Sequence, residues 1–247
     1  MTPLNLTFIG SGDAFSSGGR LQSGIFIEKQ THGLLLDCGA TLLTGLQRCG
    51  LSSNQIDSIA ISHLHGDHFC GIPFLFLDAL YVSNRIKPLH IFGPPDTERR
   101  VIDACRVFYP GALDGPFPFT VEYHVLENKK TTSHDFFTIS TFAVSHGRHS
   151  VASALKVEIA GRTIAYSGDT QWNDSLIEVA KGSDLFICEC LSYNEPNPGH
   201  LDYLTLKQHL IDLETDRIIL THTGPAIDQN RQLIDLEIAH DGLQLQL

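Results

Sequence analysis

Ser62-His63-Leu64-His65-Gly66-Asp67-His68 sets three imidazoles and one carboxylate close together, directly after the apolar run Ile56–Ile61. Imidazole and carboxylate are the usual ligands of zinc and the other divalent first-row metals. In an extended turn His63 and His65 point to the same side and can share one ion. Asp67 and His68 sit a turn further on, at the start of a helix, and can face a second ion, with Gly66 letting the backbone tighten between the two pairs. A solvated loop is the ordinary setting for four polar residues, but this one is flanked by two strongly apolar segments.

Further residues of the same kind stand elsewhere in the same context. Phe142-Ala143-Val144-Ser145-His146, Ile164-Ala165-Tyr166-Ser167-Gly168-Asp169 and Ile218-Ile219-Leu220-Thr221-His222 each end a buried strand on His or Asp. Strand ends on one rim of an α/β sheet converge, and such folds build their sites there. Seven ligands then serve two ions: His63, His65 and His146 for one, Asp67, His68 and His222 for the other, with Asp169 bridging. His149, which follows His146 closely, is the alternative ligand at that position and otherwise lines the pocket. Two ions about 3.5–4 Å apart hold a bridging hydroxide and clamp the oxygens of a displacement reaction. Asp37, closing Leu34-Leu35-Leu36, is better placed to orient a ligand imidazole than to ligate.

His200 follows the breaker-rich loop Asn194-Glu195-Pro196-Asn197-Pro198-Gly199. Imidazole titrates near neutral pH, so His200 is read as the general acid that protonates a leaving oxygen, with a surface loop histidine as the alternative. Asp67 and His200 are the candidate catalytic residues. His32, His90, His124, His134, His209 and His240 have no comparable context and are read as structural or solvated. Gly10-Ser11-Gly12 is read as a tight turn, Arg99-Arg100 as a solvated helix face, and Phe69, Tyr193 and Tyr203 as core.

Around these motifs the chain reads as short apolar runs that stop at polar, Gly-rich turns. Strands are predicted at Leu4–Ile9, Ser23–Ile27, Gly33–Leu36, Ile56–Ser62, Pro88–Phe92, Phe136–Val144, Ala154–Ile159, Arg162–Tyr166, Asp184–Cys188 and Arg217–Leu220. A short closing strand follows at Leu243–Leu247. Helices are predicted at Leu42–Cys49, Phe69–Val82, Thr97–Phe108, Ser175–Ala180 and Tyr203–Leu213. Hairpins come first and strands later alternate with helices, which predicts two sheets with helices outside. The expectation is an α/β fold in one domain over residues 1–247, with two similar halves joined near residue 120.

Composition bounds the function. With 247 residues, 42% of them apolar and 18% charged, the chain can bury a sizeable core. Lys and Arg number 17 against 28 Asp and Glu, for a net charge of −11. A polyphosphate binder presents clustered positive charge, so non-specific nucleic-acid binding is not expected. Nothing approaches the roughly 18 apolar residues of a membrane span, and Met1–Gly10 lacks the features of a signal peptide. The six cysteines show no CxxC spacing and read as reduced core thiols, so the expected location is cytoplasmic.

His63-x-His65-x-Asp67-His68 followed by His146, Ser167-Gly168-Asp169-Thr170 and Thr221-His222 resembles the metallo-β-lactamase superfamily over essentially the whole chain. Within it the chain is most similar to ribonuclease Z and its phosphodiesterase relatives. The further residues that carry this are Phe8-Ile9-Gly10-Ser11-Gly12, Asp37-Cys38-Gly39, Gly93-Pro94, Glu189-Cys190 and Ala239-His240-Asp241-Gly242. The resemblance implies a four-layered αββα sandwich with a binuclear site at one edge of the sheets. It implies a hydrolase holding two zinc ions, with manganese or iron as substitutes, and a homodimer as the common assembly. Three departures bear on the substrate. The segment from His146 to Asp169 has room for one hairpin but not for the long basic arm with which ribonuclease Z grips transfer RNA. The family's Asp-Cys-Gly-Glu-Gly reads Asp37-Cys38-Gly39-Ala40-Thr41, and the histidine at His200 is followed by Leu201-Asp202. A small phosphodiester is therefore the expected substrate. The other readings are an ester, thioester or lactone hydrolase on the same site, a ribonuclease Z-like endonuclease, and a metal-stabilised binding module without catalysis.

Overall fold

The computed structural model describes residues 3–147, 151–195 and 197–247. Its first sheet runs in chain order through β1 (Asn5–Gly10), β2 (Gly24–Lys29), β3 (His32–Leu36), β4 (Ser58–Ala60), β5 (Leu89–Gly93) and β6 (Val121–Val125). The second runs through β7 (Thr131–His134), β8 (Phe137–Ala143), β9 (Ser153–Ile159), β10 (Arg162–Tyr166), β11 (Leu185–Glu189), β12 (Ile218–Thr221) and β13 (Glu237–Ile238). The closing strand β14 (Gln244–Gln246) returns to pair antiparallel with β1. Both sheets start as antiparallel hairpins and continue as parallel strands, from β3 to β6 and from β10 to β13. The two halves anticipated near residue 120 are thus two sheets of like topology, divided between β6 and β7.

Helices cover the outer faces: α1 (Leu42–Arg48), α2 (Gly66–Phe69), α3 (Ile72–Tyr81) and α4 (Thr97–Phe108) belong to the first half. In the second half lie α5 (Ser175–Ala180), α6 (Tyr203–His209) and α7 (Pro225–Gln229). Alternation along the strands explains the layering, because successive side chains point to opposite faces. Leu34 and Leu36 enter the core between the sheets with Phe92, Leu155 and Tyr166. Leu35 instead packs outward with Ile59, Leu75 and Val101 beneath the helices. A third cluster of Ala165, Phe186, Leu206 and Leu220 lies under the helices of the second half. The architecture is the αββα sandwich.

Differences from the predicted elements have local causes. The single helix predicted at Phe69–Val82 is broken at Cys70-Gly71, because Gly71 lies against Cys38-Gly39. Its amide donates to the Cys38 carbonyl at 2.8 Å, and a Cβ there would sit 2.3 Å from the Gly39 oxygen. The edge strands β6 and β7 carry half-exposed polar side chains and so lack the apolar run by which the other strands are recognised. Among the described residues no helix is long and apolar enough to cross a membrane. All six cysteines are free.

The strand directions gather the site. Through the antiparallel pairs, β1 runs with β3 and β8 runs with β10, so in each sheet these strands end on the same rim as their parallel neighbours. The chain then bends sharply at that rim. Asp37 and His222, each directly after a strand, adopt left-handed backbone with φ of 57° and 54°. Such conformations are uncommon outside glycine, although Asp and His are among the side chains that tolerate them best.

Candidate metal centre

Each of the seven residues assigned from the sequence as ligands leaves a strand end at this rim or the short α2 beside it. His63 and His65 follow β4, Asp67 and His68 lie in α2, and His146, Asp169 and His222 follow β8, β10 and β12. Gly168 makes the turn before Asp169 possible. Its φ is 56°, and a Cβ would meet the Ser62 Cβ at 2.9 Å. Nitrogens of His63, His65 and His146 lie within 4.8 Å of one another, as do the ligating atoms of Asp67, His68, Asp169 and His222.

Asp169 Oδ2 is where the two groups meet. The Nε2 atoms of His68 (3.2 Å), His222 (3.4 Å), His63 (3.8 Å) and His146 (3.9 Å) surround it. Asp67 Oδ2 lies 3.2 Å from His68 Nε2 and 3.3 Å from His222 Nε2. His65 Nδ1 approaches His146 Nε2 at 2.9 Å.

Partners behind the rings aim these nitrogens inward. Asp37, wholly buried, accepts from His68 Nδ1 at 2.7 Å. It also accepts from the Ser62 amide, the Ser62 hydroxyl and the Tyr166 hydroxyl. With its proton given to Asp37, the Ser62 oxygen is left to accept from His63 Nδ1 at 3.1 Å. His146 Nδ1 donates to the Gly199 carbonyl at 2.7 Å. In His63 and His146 the proton therefore sits on Nδ1 and the Nε2 lone pair faces Asp169, and His68, once it sheds its second proton, presents Nε2 in the same way. Nε2 of His63, Nε2 of His68 and Oδ1 of Asp169 are buried without a hydrogen-bond partner among the described residues. Buried polar atoms left unpaired are costly and call for an explanation. Lone pairs converging on one carboxylate fit a divalent cation.

Charge divides the centre into two parts. Burial, with neighbouring His68, pushes His63 well below the usual imidazole range. Burial also lowers His65 and His146, so these three rings are neutral at pH 7. In the other part burial is overcome by carboxylates. Asp169 and Asp37 raise His68, and Asp169 with Asp67 raises His222 to about 9. Asp169 is held well below the carboxylate range against its burial by His222 and His68. Ligands must shed protons to bind a metal, so a cation entering this part displaces protons from His68 and His222.

His200 stands beside the cluster, its Nδ1 4.0 Å from Asp169 Oδ2. Its partner is Glu189 at the end of β11, whose oxygens lie 3.2 and 3.3 Å from His200 Nδ1. Glu189 is fully buried and also accepts from the amides of Thr170 and Leu201. Burial raises Glu189, and Glu189 in turn raises His200 against the effect of its own burial. Sequence reasoning gave Glu189 no site role, although an acid closing an apolar strand is the same signal that marked Asp169. His149 lies outside the described residues. Phe69 and Tyr203 are core, as expected. A cleft of about 100 Å³ opens over the centre, and Phe15, 85% exposed, stands at its mouth with Asp13 and Leu191.

Known proteins resemble the chain in sequence and in fold. A ribonuclease Z of Methanococcus maripaludis is 32% identical over 154 residues, 62% of this chain and 48% of that one. The matched region thus spans about half the length of that curated relative. The metallo-β-lactamase fold protein YhfI of Bacillus subtilis superposes over 100% of both chains with a TM-score of 0.81 at 22% identity. The short form of human tRNase Z does so over 98% of both, with a TM-score of 0.79 and 22% identity. The family model described as anti-Pycsar protein Apyc1 matches residues 4–238, which takes in β1 through β13 and all seven candidate ligands. The chain has the metallo-β-lactamase fold and belongs to the anti-Pycsar protein Apyc1 family.

Proposed function

We propose that the chain is a binuclear zinc-dependent hydrolase acting on small phosphodiesters. His63, His65 and His146 would hold one ion, Asp67, His68 and His222 the other, and Asp169 would bridge them. The observation that carries this reading is Asp169 Oδ2, ringed by four imidazole Nε2 atoms at 3.2 to 3.9 Å. When bound, two divalent cations, zinc or in its place manganese or iron, supply a nucleophile at neutral pH and neutralise charge gathering on the phosphoryl oxygens. The protein contributes position and protons. Asp67, ionised and at the cleft, accepts a hydrogen bond from the attacking water. His200, which Glu189 raises above the usual imidazole range against its own burial, gives its proton to the leaving oxygen.

A proton donor favours phosphodiesters of poor leaving groups, because an alkoxide leaves slowly without one. Curated relatives such as the Methanococcus maripaludis protein carry the name of a nuclease, an enzyme of phosphodiester bonds. The net charge of −11 and the absence of room for a basic arm between His146 and Asp169 speak against long RNA as the favoured substrate. Free cysteines fit a reducing, cytoplasmic setting. The test is to assay metal-quantified protein on bis(p-nitrophenyl) phosphate, cyclic nucleotides, thioesters and lactones. Turnover of the phosphodiesters is expected. Preference for a thioester or lactone would move the chain to carbonyl chemistry, and metal occupancy without turnover would make it a binding module.

A further inference from the structure

Away from the rim, His90 of β5, His124 of β6 and His134 of β7 converge, with one nitrogen from each ring within 4.8 Å of the others. The sequence reading placed all three among the structural or solvated histidines. They come from both halves of the molecule. His90 and His124 belong to the edge of the first sheet and His134 to the edge strand of the second, and β6 and β7 do not pair.

We propose that His90, His124 and His134 form a separate structural zinc site that ties the free edges of the two sheets together.

Three observations support the site. His90 Nδ1 and His124 Nε2 are 3.3 Å apart. Two nitrogens at 2.0–2.1 Å from a tetrahedral zinc are separated by roughly 3.3–3.4 Å, whereas an ordinary hydrogen bond is shorter, about 2.9–3.0 Å. His134 Nε2 is buried with no hydrogen-bond partner among the described residues. Carboxylates stand ready to complete the ligand set. Glu122, paired in register with His90, has Oε2 3.6 Å from His90 Nδ1, and Asp135 has Oδ2 3.4 Å from His134 Nε2. Aromatic packing holds the rings: Phe92 stacks on His124 at 4.4 Å and Phe137 lies 5.7 Å from His134. A ligand set closed by protein side chains is the mark of a structural rather than a catalytic zinc.

The test compares metal content per chain in tag-free wild type, His134→Ala and His124→Gln, each purified with zinc and then desalted. Both variants should carry one ion fewer than wild type. In a His63→Ala background, which disturbs the rim centre, adding His134→Ala should remove a further ion. Zinc should also raise the melting temperature of wild type more than that of His134→Ala. Because the variants could fold poorly, anomalous diffraction at the zinc edge on wild-type crystals gives an independent reading, and a peak among the three rings is expected. Equal metal content in wild type and folded variants, or no anomalous peak there, overturns the site.

Discussion

Asp37→Asn separates orientation from ligation, since Asp37 faces the back of His68 and no metal position. Asparagine keeps the shape of the side chain and tolerates the left-handed backbone of φ 57° at this position, so the chain path should not change. The consequence follows from donors and acceptors. Ser62 donates its amide to Oδ1 at 2.7 Å, while its hydroxyl, the Tyr166 hydroxyl and His68 Nδ1 all reach Oδ2 at 2.7 to 2.8 Å. If the new amide oxygen stays on the Ser62 amide, its NH₂ takes the place of Oδ2. The two hydroxyls can turn and accept. His68 can accept at Nδ1 only by moving its proton to Nε2, the atom 3.2 Å from both Asp67 and Asp169, where it removes the lone pair a metal needs. The flipped amide points NH₂ at the Ser62 N–H, which cannot reverse, at a cost of about 1–3 kcal/mol for an unmet buried donor. Retaining the metal-binding tautomer therefore costs an amount that corresponds to roughly 10–100-fold in metal affinity. Zinc titration against a calibrated chelator measures this, with a melting curve as the control for folding. A folded Asp37→Asn protein with wild-type zinc affinity would refute the claim that Asp37 sets the His68 tautomer.

Asp169→Asn should empty both halves of the rim centre together, as read by metal analysis, and full occupancy in that variant would sink the bridging role. His200→Ala should keep its metal but lose kcat by roughly 10²–10⁴-fold on alkyl phosphodiesters, with little loss on p-nitrophenyl esters that need no proton. Equal losses on both substrates would rule out proton donation. Chelator-treated protein should melt highest near pH 6.5. His222, raised from 6.5 to about 9, contributes fully below 6.5 and loses about 3 kcal/mol as pH rises through 9. Below pH 6.5 the lowered values of His63, His65 and His146 act in the opposite sense, because the unfolded chain takes up protons that the buried rings refuse. A flat melting profile from pH 5 to 9 would contradict this charge pattern.

Much of the rim could be read from the sequence because its signals are local. A strand buried on both faces is a continuous apolar run, so a polar residue that ends it abruptly, as at Asp37, Asp169 and His222, stands out without any structure, whereas β8 before His146 alternates buried and half-exposed positions. Three imidazoles and a carboxylate in Ser62–His68 need no distant residue to be noticed. The order of hairpins and helices likewise implied two sheets with outer helices, since parallel strands need crossover connections.

Tertiary structure decided what depends on distances between segments remote in the chain. The break at Cys70-Gly71 arises because Gly71 is pressed against Cys38-Gly39, a contact that helix periodicity does not encode. Glu189 becomes the partner of His200 only when the loop after β11 folds back over it. His90, His124 and His134 sit on three strands of two sheets, His90 between buried Leu89 and Ile91 and the other two on half-exposed edge strands, and nothing in their sequence surroundings links them. Periodicity and chain-breaking residues act over a few positions and are written in the sequence directly. The meeting of three rings at an open sheet edge is set by how the whole interior packs, with Phe92, Leu126, Phe137 and Tyr166 in one core between the sheets.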